Sequence, residues 1–517
     1  MLALAGCGGR ERVAEPAAVL RVSQRNEPID LDPAMAGLPD DFFIIRALGE
    51  GLVTPDPGGG PFHPAAALRW ESSADRLTWT FHLRLGERWS NGEPVTAGDF
   101  VASFRRVLTP ATAAPEAELF FDVGNARRYY AGQIADFSEV GIRAPDSRTL
   151  VVTLGEPQPH FLAYAASGPW IPVNPRVVSR YGPDWTRPRH FVGNGPYVLA
   201  EWLPNQRITV RKNPLYRNAA SIRVEEIQFV RFDDGDSEER AFRAGEIDVT
   251  MAVPFSKLAT YAREMPSELH EAPLSETRYL AFNTSRPPLD DPRVRRALSL
   301  AIDRERLVED VLRGGQAPAR RMLPPSLGAL IGLGASLPDA AGPETARRLL
   351  AEAGFPGGRG FPRLELSGWS ATPVLEVIQE MWSKGLGIET NVSVREARAH
   401  VAALRAGRYD VAFVALIPDV ADPLGALLNF STRSPNNYPH WSDARYDALL
   451  DEAARTADLG RRGACLRMAE RRLLEACPLA PLYFNTMNWL MRPGVRGWRQ
   501  DAYWNRDYTG LDLIAPP

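Results

Sequence analysis

The sequence predicts a large α/β or α+β protein, built as about three domains or as one two-lobed unit. Three observations carry this. At 517 residues the chain holds about three units of roughly 150 residues. Short strand patterns are mixed with helix patterns along its length. Its composition, 44% hydrophobic and 24% charged, is that of a folded globule and excludes bulk disorder.

The elements follow in chain order. Leu77, Trp79, Phe81 and Leu83 alternate with Thr78, Thr80, His82 and Arg84, the period of a half-buried strand. Thr96 then caps a helix, with Asp99 at the capping-box position. Phe100, Phe104 and Leu108 recur every four residues and give that helix a core face. Strands are expected at 149–154, 207–211, 278–283 and 410–415. Asp291-Pro292 starts a helix with Val294, Leu298 and Ala301 inward. Asp303 starts another, with Leu307, Val308, Val311 and Leu312 inward and Gly314-Gly315 as its stop.

Charge and motifs exclude several functions. Lys plus Arg is 60 and Asp plus Glu is 63, a net charge of −3, which gives no electrostatic reason to bind nucleic acid or an anionic membrane. Only Lys212, Lys257 and Lys384 are lysines; the dominance of Arg reads as coding bias. No run of 18 apolar residues occurs, so no membrane-spanning helix is predicted. The sequence lacks G-x-S-x-G, H-E-x-x-H and the P-loop pattern. Gly193-Asn194-Gly195-Pro196 reads as a turn, because no further Gly follows at dinucleotide spacing. The seven histidines lack metal spacing. The carboxylate pairs Asp233-Asp234 and Asp290-Asp291 lie beside turns or caps, and nothing marks either as a glycosidase pair. No metal or cofactor is implied.

Three cysteines occur. Cys465 and Cys477 lie in one helical stretch, about 18 Å apart by helix rise and beyond disulfide reach. Two separate semi-buried thiols are expected. Cys7 ends Leu4-Ala5-Gly6-Cys7, which resembles a bacterial lipobox, and a Gly-rich polar tether follows. The basic start and most of the apolar core of a signal peptide are missing, so Met1 reads as a late start or as the first residue of a truncated chain.

Five blocks together resemble the oligopeptide- and dipeptide-binding family of extracytoplasmic solute-binding proteins of ABC importers, family 5. The first is Gly49-Glu50-Gly51-Leu52-Val53, followed by Leu77 to Arg84 and Trp89-Ser90-Asn91-Gly92-Glu93-Pro94-Val95-Thr96. The second is Gly193-Asn194-Gly195-Pro196-Tyr197, then Arg211-Lys212-Asn213-Pro214 and Ala244-Gly245-Glu246-Ile247-Asp248. The third is Phe282-Asn283-Thr284 with Leu289-Asp290-Asp291-Pro292-Arg293-Val294. The fourth and fifth are 346–355 and 407–423, the latter leading to Trp441-Ser442-Asp443. One block alone is weak; five in family order are specific.

The resemblance implies a type II periplasmic-binding-protein fold, a two-lobed Venus-flytrap with an extra subdomain in lobe I. Residues 1–14 would be signal remnant and tether. Lobe I would comprise 15–55, 178–272 and 484–517, its subdomain 56–177, and lobe II 273–483. Chain crossings would fall near 273–279 and 482–485. The implied function is capture of oligopeptides or related amino-bearing solutes and delivery to the permease and ATPase subunits of an importer. The expected protein is a monomer in the periplasm or at the cell surface, held by lipid on Cys7, with no enzymatic activity.

The family pairs the peptide's amino end with an Asp of lobe II, which corresponds to Asp419. The competing reading is a turn cap beside Pro418, with Asp422 as a second, structural carboxylate. Other matched positions depart from the pattern. Phe413 stands where Arg is common, Leu416 where an aromatic is usual, Glu116 where a subdomain Tyr meets the ligand, and Ala371 where a His faces its carboxylate. Phe413, Leu416 and Ile417 suggest an apolar wall or, equally, strand-end core. Leu38 matches a lobe I contact loop or is a plain turn residue. Three alternatives stay open: a hydrolase, for which no nucleophile motif exists; a sensor or chaperone-like lipoprotein of this fold; and a binder of a non-peptide solute such as an opine, a metal complex or an oligosaccharide.

Overall fold

The alternating stretch after Leu77 becomes the strand Thr78–Leu83, with Trp79, Phe81 and Leu83 buried. The computed structural model describes residues 18–56, 62–158, 160–334, 342–370, 372–418, 420–456 and 458–514. Thr78–Leu83 lies in a four-stranded antiparallel sheet, in the order Ala67–Ser72, Thr78–Leu83, Thr149–Thr153, Ile142–Asp146. The helix Ala97–Leu108 follows. Thr96 Oγ1 accepts from the Asp99 amide at 3.3 Å, and Asp99 Oδ2 accepts from the Thr96 amide at 2.9 Å, which satisfies donors that a helix start leaves open. Its Phe100 and Phe104 join Phe120 and Trp170 in an aromatic core, the last two stacked at 4.3 Å.

A second four-stranded sheet has the order Val19–Gln24, Glu226–Arg231, Arg207–Lys212, Tyr197–Leu203; the first pair is parallel and the others antiparallel. The turn at Gly193–Gly195 packs against the end of the helix Pro39–Leu48. Asn194 accepts from the Glu50 amide and donates to the Glu50 carbonyl. A Cβ on Gly195 would stand 2.5 Å from the backbone of Leu48 and Gly49, so glycine is required there for close approach.

The third sheet has six strands: Ala317–Pro318, Leu479–Leu490, Leu269–Phe282, Val411–Leu416, Leu364–Gly368 and Thr390–Val394. Leu269–Phe282 is antiparallel to both neighbours, while Leu364–Gly368 is parallel to both of its own. Apolar cores cover its two faces. Leu269–Phe282 corrects the expectation of a short strand at 278–283: it begins nine residues earlier. Pro273, the half-buried His270 and the exposed Glu271 hide that extension from a hydrophobic pattern.

Two further expectations change. The helix starting at Asp303 is α-helical only over Arg304–Arg306 and continues as a π-turn, Leu307–Leu312. Cys465 and Cys477 are unpaired, as expected, but fully buried rather than semi-buried. Burial raises both thiols.

Two strands join the lobes. Leu274, Met487 and Trp489 belong to the core beneath the Val19–Gln24 sheet, while Leu280, Phe282, Ala480 and Leu482 belong to the core of the six-stranded sheet. The ladder breaks at the passage. Pro273 pairs with Thr486 and Thr277 with Phe484, so residues 274–276 face Asn485 alone. This bulge unlinks the ladder halves in the two lobes.

Candidate functional site

The crossing strands carry polar groups that a buried ladder does not need. Glu276 is buried at 3% exposure, and its Oε1 lies 2.5 Å from Arg278 Nε. Asn485, on the opposite crossing strand, donates to Glu276 Oε2 at 3.0 Å. Arg278 pairs in the ladder with Ala415 and Tyr483, and burial pushes the Tyr483 hydroxyl up to about 12.

The Arg278 guanidinium stands over two rings, 4.9 Å from the Trp369 centroid and 5.9 Å from that of Phe413. Those rings stack at 5.1 Å with planes 9° apart. Trp369 directly follows the strand Leu364–Gly368, and Phe413 comes from the adjacent parallel strand. His400 Nε2 lies 3.1 Å from the Phe413 carbonyl oxygen, and burial lowers its proton affinity. Phe413 is therefore buried core and the floor of a cation–π stack. Leu416 is buried on the other face of the sheet. Ile417, one residue on, is 48% exposed. Asp419 lies outside the described residues, as do Ala371 and Cys7.

Asp422 ends this loop and is fully buried. It caps the helix Pro423–Leu428 through the Leu424 amide and takes Arg462 Nη2 at 3.2 Å. The other partners come from the Ala67–Asp146 sheet region: Tyr164 donates its hydroxyl to Asp422 at 3.3 Å, and Arg462 donates to Gln158 Oε1 at 3.3 Å. Gln158 in turn donates to Asp122. Burial raises the Asp122 carboxyl and the Tyr164 hydroxyl and lowers the His160 imidazole. A buried polar seam thus spans the two bodies, with Arg462 charge-balanced by Asp422.

The segments that carry Leu38 and Glu116 meet at Gly37 and Pro115. Leu38 is the N-cap residue of the helix Pro39–Leu48 and is 49% exposed. A Cβ on its neighbour Gly37 would touch Pro115 at 3.5 Å. Glu116 precedes the 3-10 turn Ala117–Phe120. It acts on Arg46 together with Asp501 and Tyr508, while burial lowers the Arg46 pKa. Asp501 is itself raised by burial.

The structure therefore brings the segments of Leu38 and Glu116 together, but it separates Phe413 and Leu416 onto opposite faces of one sheet and leaves Ile417 exposed beyond them. Sequence reasoning missed Arg278, Trp369, Tyr164, Gln158 and Arg462. None has a motif: the Arg278 stack draws on three strands and the Asp422 seam on segments 264 residues apart in position, 158 to 422.

The family model described as bacterial extracellular solute-binding proteins, family 5 Middle, matches residues 61–438. A probable deoxycholate-binding periplasmic protein of Escherichia coli K12 is 33% identical over 494 residues, covering 93% of this chain and 91% of that protein. The periplasmic oligopeptide-binding protein OppA of Salmonella typhimurium is 31% identical over 503 residues, 95% of this chain and 89% of its own. Among solved structures, the murein tripeptide-binding protein MppA of Escherichia coli superposes with a TM-score of 0.83 at 30% identity, covering 97% and 99% of the two chains. OppA of Haemophilus influenzae in complex with the peptide RPPGFSPFR gives 0.81 at 29% identity, covering 97% and 100%.

Proposed function

We propose a function on one premise: the chain belongs to the bacterial extracellular solute-binding proteins of family 5. The proposal is that it captures a peptide, or a peptide-like solute with a free amino group, between its lobes. It then delivers that solute to the permease and ATPase subunits of an ABC importer, as a periplasmic or surface lipoprotein without catalytic activity. The supporting observation is likeness over 97% of the chain to solved peptide binders, combined with a two-stranded ladder between the lobes that carries a bulge at the crossing. Such a joint suits opening and closing around an extended ligand, whose main chain can bind by strand-like hydrogen bonds.

In this reading, lobe I comprises 15–55, 178–272 and 484–517 with the subdomain 56–177, and lobe II comprises 273–483. Asp419 receives the amino end, Glu116 adds negative charge from the subdomain side, and Leu38 and Ile417, both half exposed, contact the ligand's apolar parts. Native mass spectrometry of the purified protein tests this. A ladder of co-purified peptide masses is expected; one discrete non-peptide mass overturns the substrate class.

A second reading has its own support. The 33% identical relative is described as deoxycholate-binding, and the Trp369–Phe413 stack offers aromatic surface beneath a cation. An apolar carboxylate would then replace the peptide.

A further inference from the structure

We propose that Arg278 is the residue that receives a carboxylate of the bound solute. This rests on the solute-binding reading above but not on the solute being a peptide. It assigns a recognition role to a residue outside the binding loop, on the strand that passes between the lobes.

The position is the first argument. Leu274 lies in the core of one lobe and Tyr279 in that of the other. Arg278 therefore stands where the chain has just left one body for the next, two residues past the bulge at 274–276. It pairs directly with Ala415, two residues before the exposed Ile417.

The presentation of the guanidinium is the second. Glu276 Oε1 forms an ion pair with Nε at 2.5 Å, without hydrogen-bond geometry, and the stacked Trp369 and Phe413 rings support the guanidinium plane. Among the described residues none accepts a bond from either Nη group of Arg278. The side chain keeps 19% exposure while Glu276 keeps 3%. The guanidinium is thus held by an ion pair at Nε and by one face, leaving its two Nη groups as a planar pair of donors. That fork matches a carboxylate in bidentate fashion, which an ammonium could not do. Pre-ordering of the side chain lowers the entropy lost when the anion arrives. Asn485 binds the second oxygen of Glu276, so Glu276 is itself held in place rather than free to follow the ligand.

The same carboxylate could come from a peptide's terminus or from an apolar acid, and titration calorimetry with the whole chain separates them. Two probe pairs are used: a tripeptide acid and its C-terminal amide, and sub-micellar deoxycholate and its side-chain amide. The expected result is an acid preference of about tenfold or more in at least one pair, the worth of a charge-assisted hydrogen bond. Arg278→Gln should bring the two members within about twofold while leaving the amide's affinity in place. Arg278→Lys, which keeps the charge but not the fork, should retain part of the preference. A preference in the deoxycholate pair alone supports Arg278 and removes the peptide reading. Lack of preference in both pairs of the unaltered protein overturns the assignment, whatever the variants do. So does a preference that survives Arg278→Gln, which would leave Arg278 as a structural partner of Glu276.

Discussion

Asp422 shows how much one side chain can hold. It caps a helix, balances a buried arginine and meets a tyrosine from the other body. Replacing Arg462 by Ala would leave that carboxylate buried without its counter-charge. A loss of roughly 3–5 kcal/mol is expected, visible as a lower urea midpoint. Asp419→Ala tests a different claim: peptide affinity should fall by about tenfold or more, and unchanged affinity in titration would remove the amine anchor. His160 adds a pH effect. Its imidazole is lowered by burial and by Arg462 and Arg76, against the opposing pull of Asp422. The fold therefore favours the neutral ring. Its contribution is full above the ordinary histidine range, about 6.5, and is lost as pH falls below it. Between about pH 7 and about pH 5 the melting temperature should drop more for the unaltered protein than for His160→Gln. The comparison cancels the opposite effect of Asp122, whose raised carboxyl gains protons in the folded state.

Local signals were the most readable at the scale of elements. The Thr96 cap, the Asp291 cap and the alternation before Leu83 all appear in the structure, because each depends on residues within one or two turns. Thr96→Ala should cost about 1 kcal/mol, measured as a shift in denaturation midpoint. Gly195→Ala should be worse, on the order of 2 kcal/mol or more, since its Cβ meets backbone that cannot move aside. Gly235→Ala is the control: its Cβ would meet only Pro254 at 3.7 Å, and near-neutral stability is expected. What the sequence hid was the strand around Pro273 and the π-turn after Arg306. Both break a simple period, and both are settled by packing between distant segments. The candidate site divides the same way. Blocks of family pattern pointed to the loop at 417–423, whereas the Arg278 stack and the Asp422 seam arise only when separate strands meet.

At the scale of the molecule, two bodies are joined by two strands and touch again at the Tyr164–Asp422 seam. Tyr164→Phe and Gln158→Ala together should favour the open arrangement, because Asp422 and Arg462 lose their partners across the gap. X-ray scattering should report a larger radius of gyration than that of the unaltered protein without ligand, and added ligand should reverse part of the change. An unchanged radius would make the seam incidental to closure.

The bulge at 274–276 has a kinetic consequence. Peptide groups in an intact ladder trade their hydrogens with water only when several neighbours open together. Here the Leu274 and Glu276 positions fall outside the register, and the Ser275 amide is tied to Ala502 of the C-terminal loop instead. Deuterium uptake at 274–276 should outpace that at 279–282 in the empty protein and slow when a ligand draws the bodies together. The joint would then report occupancy from its own backbone, with no label on the ligand.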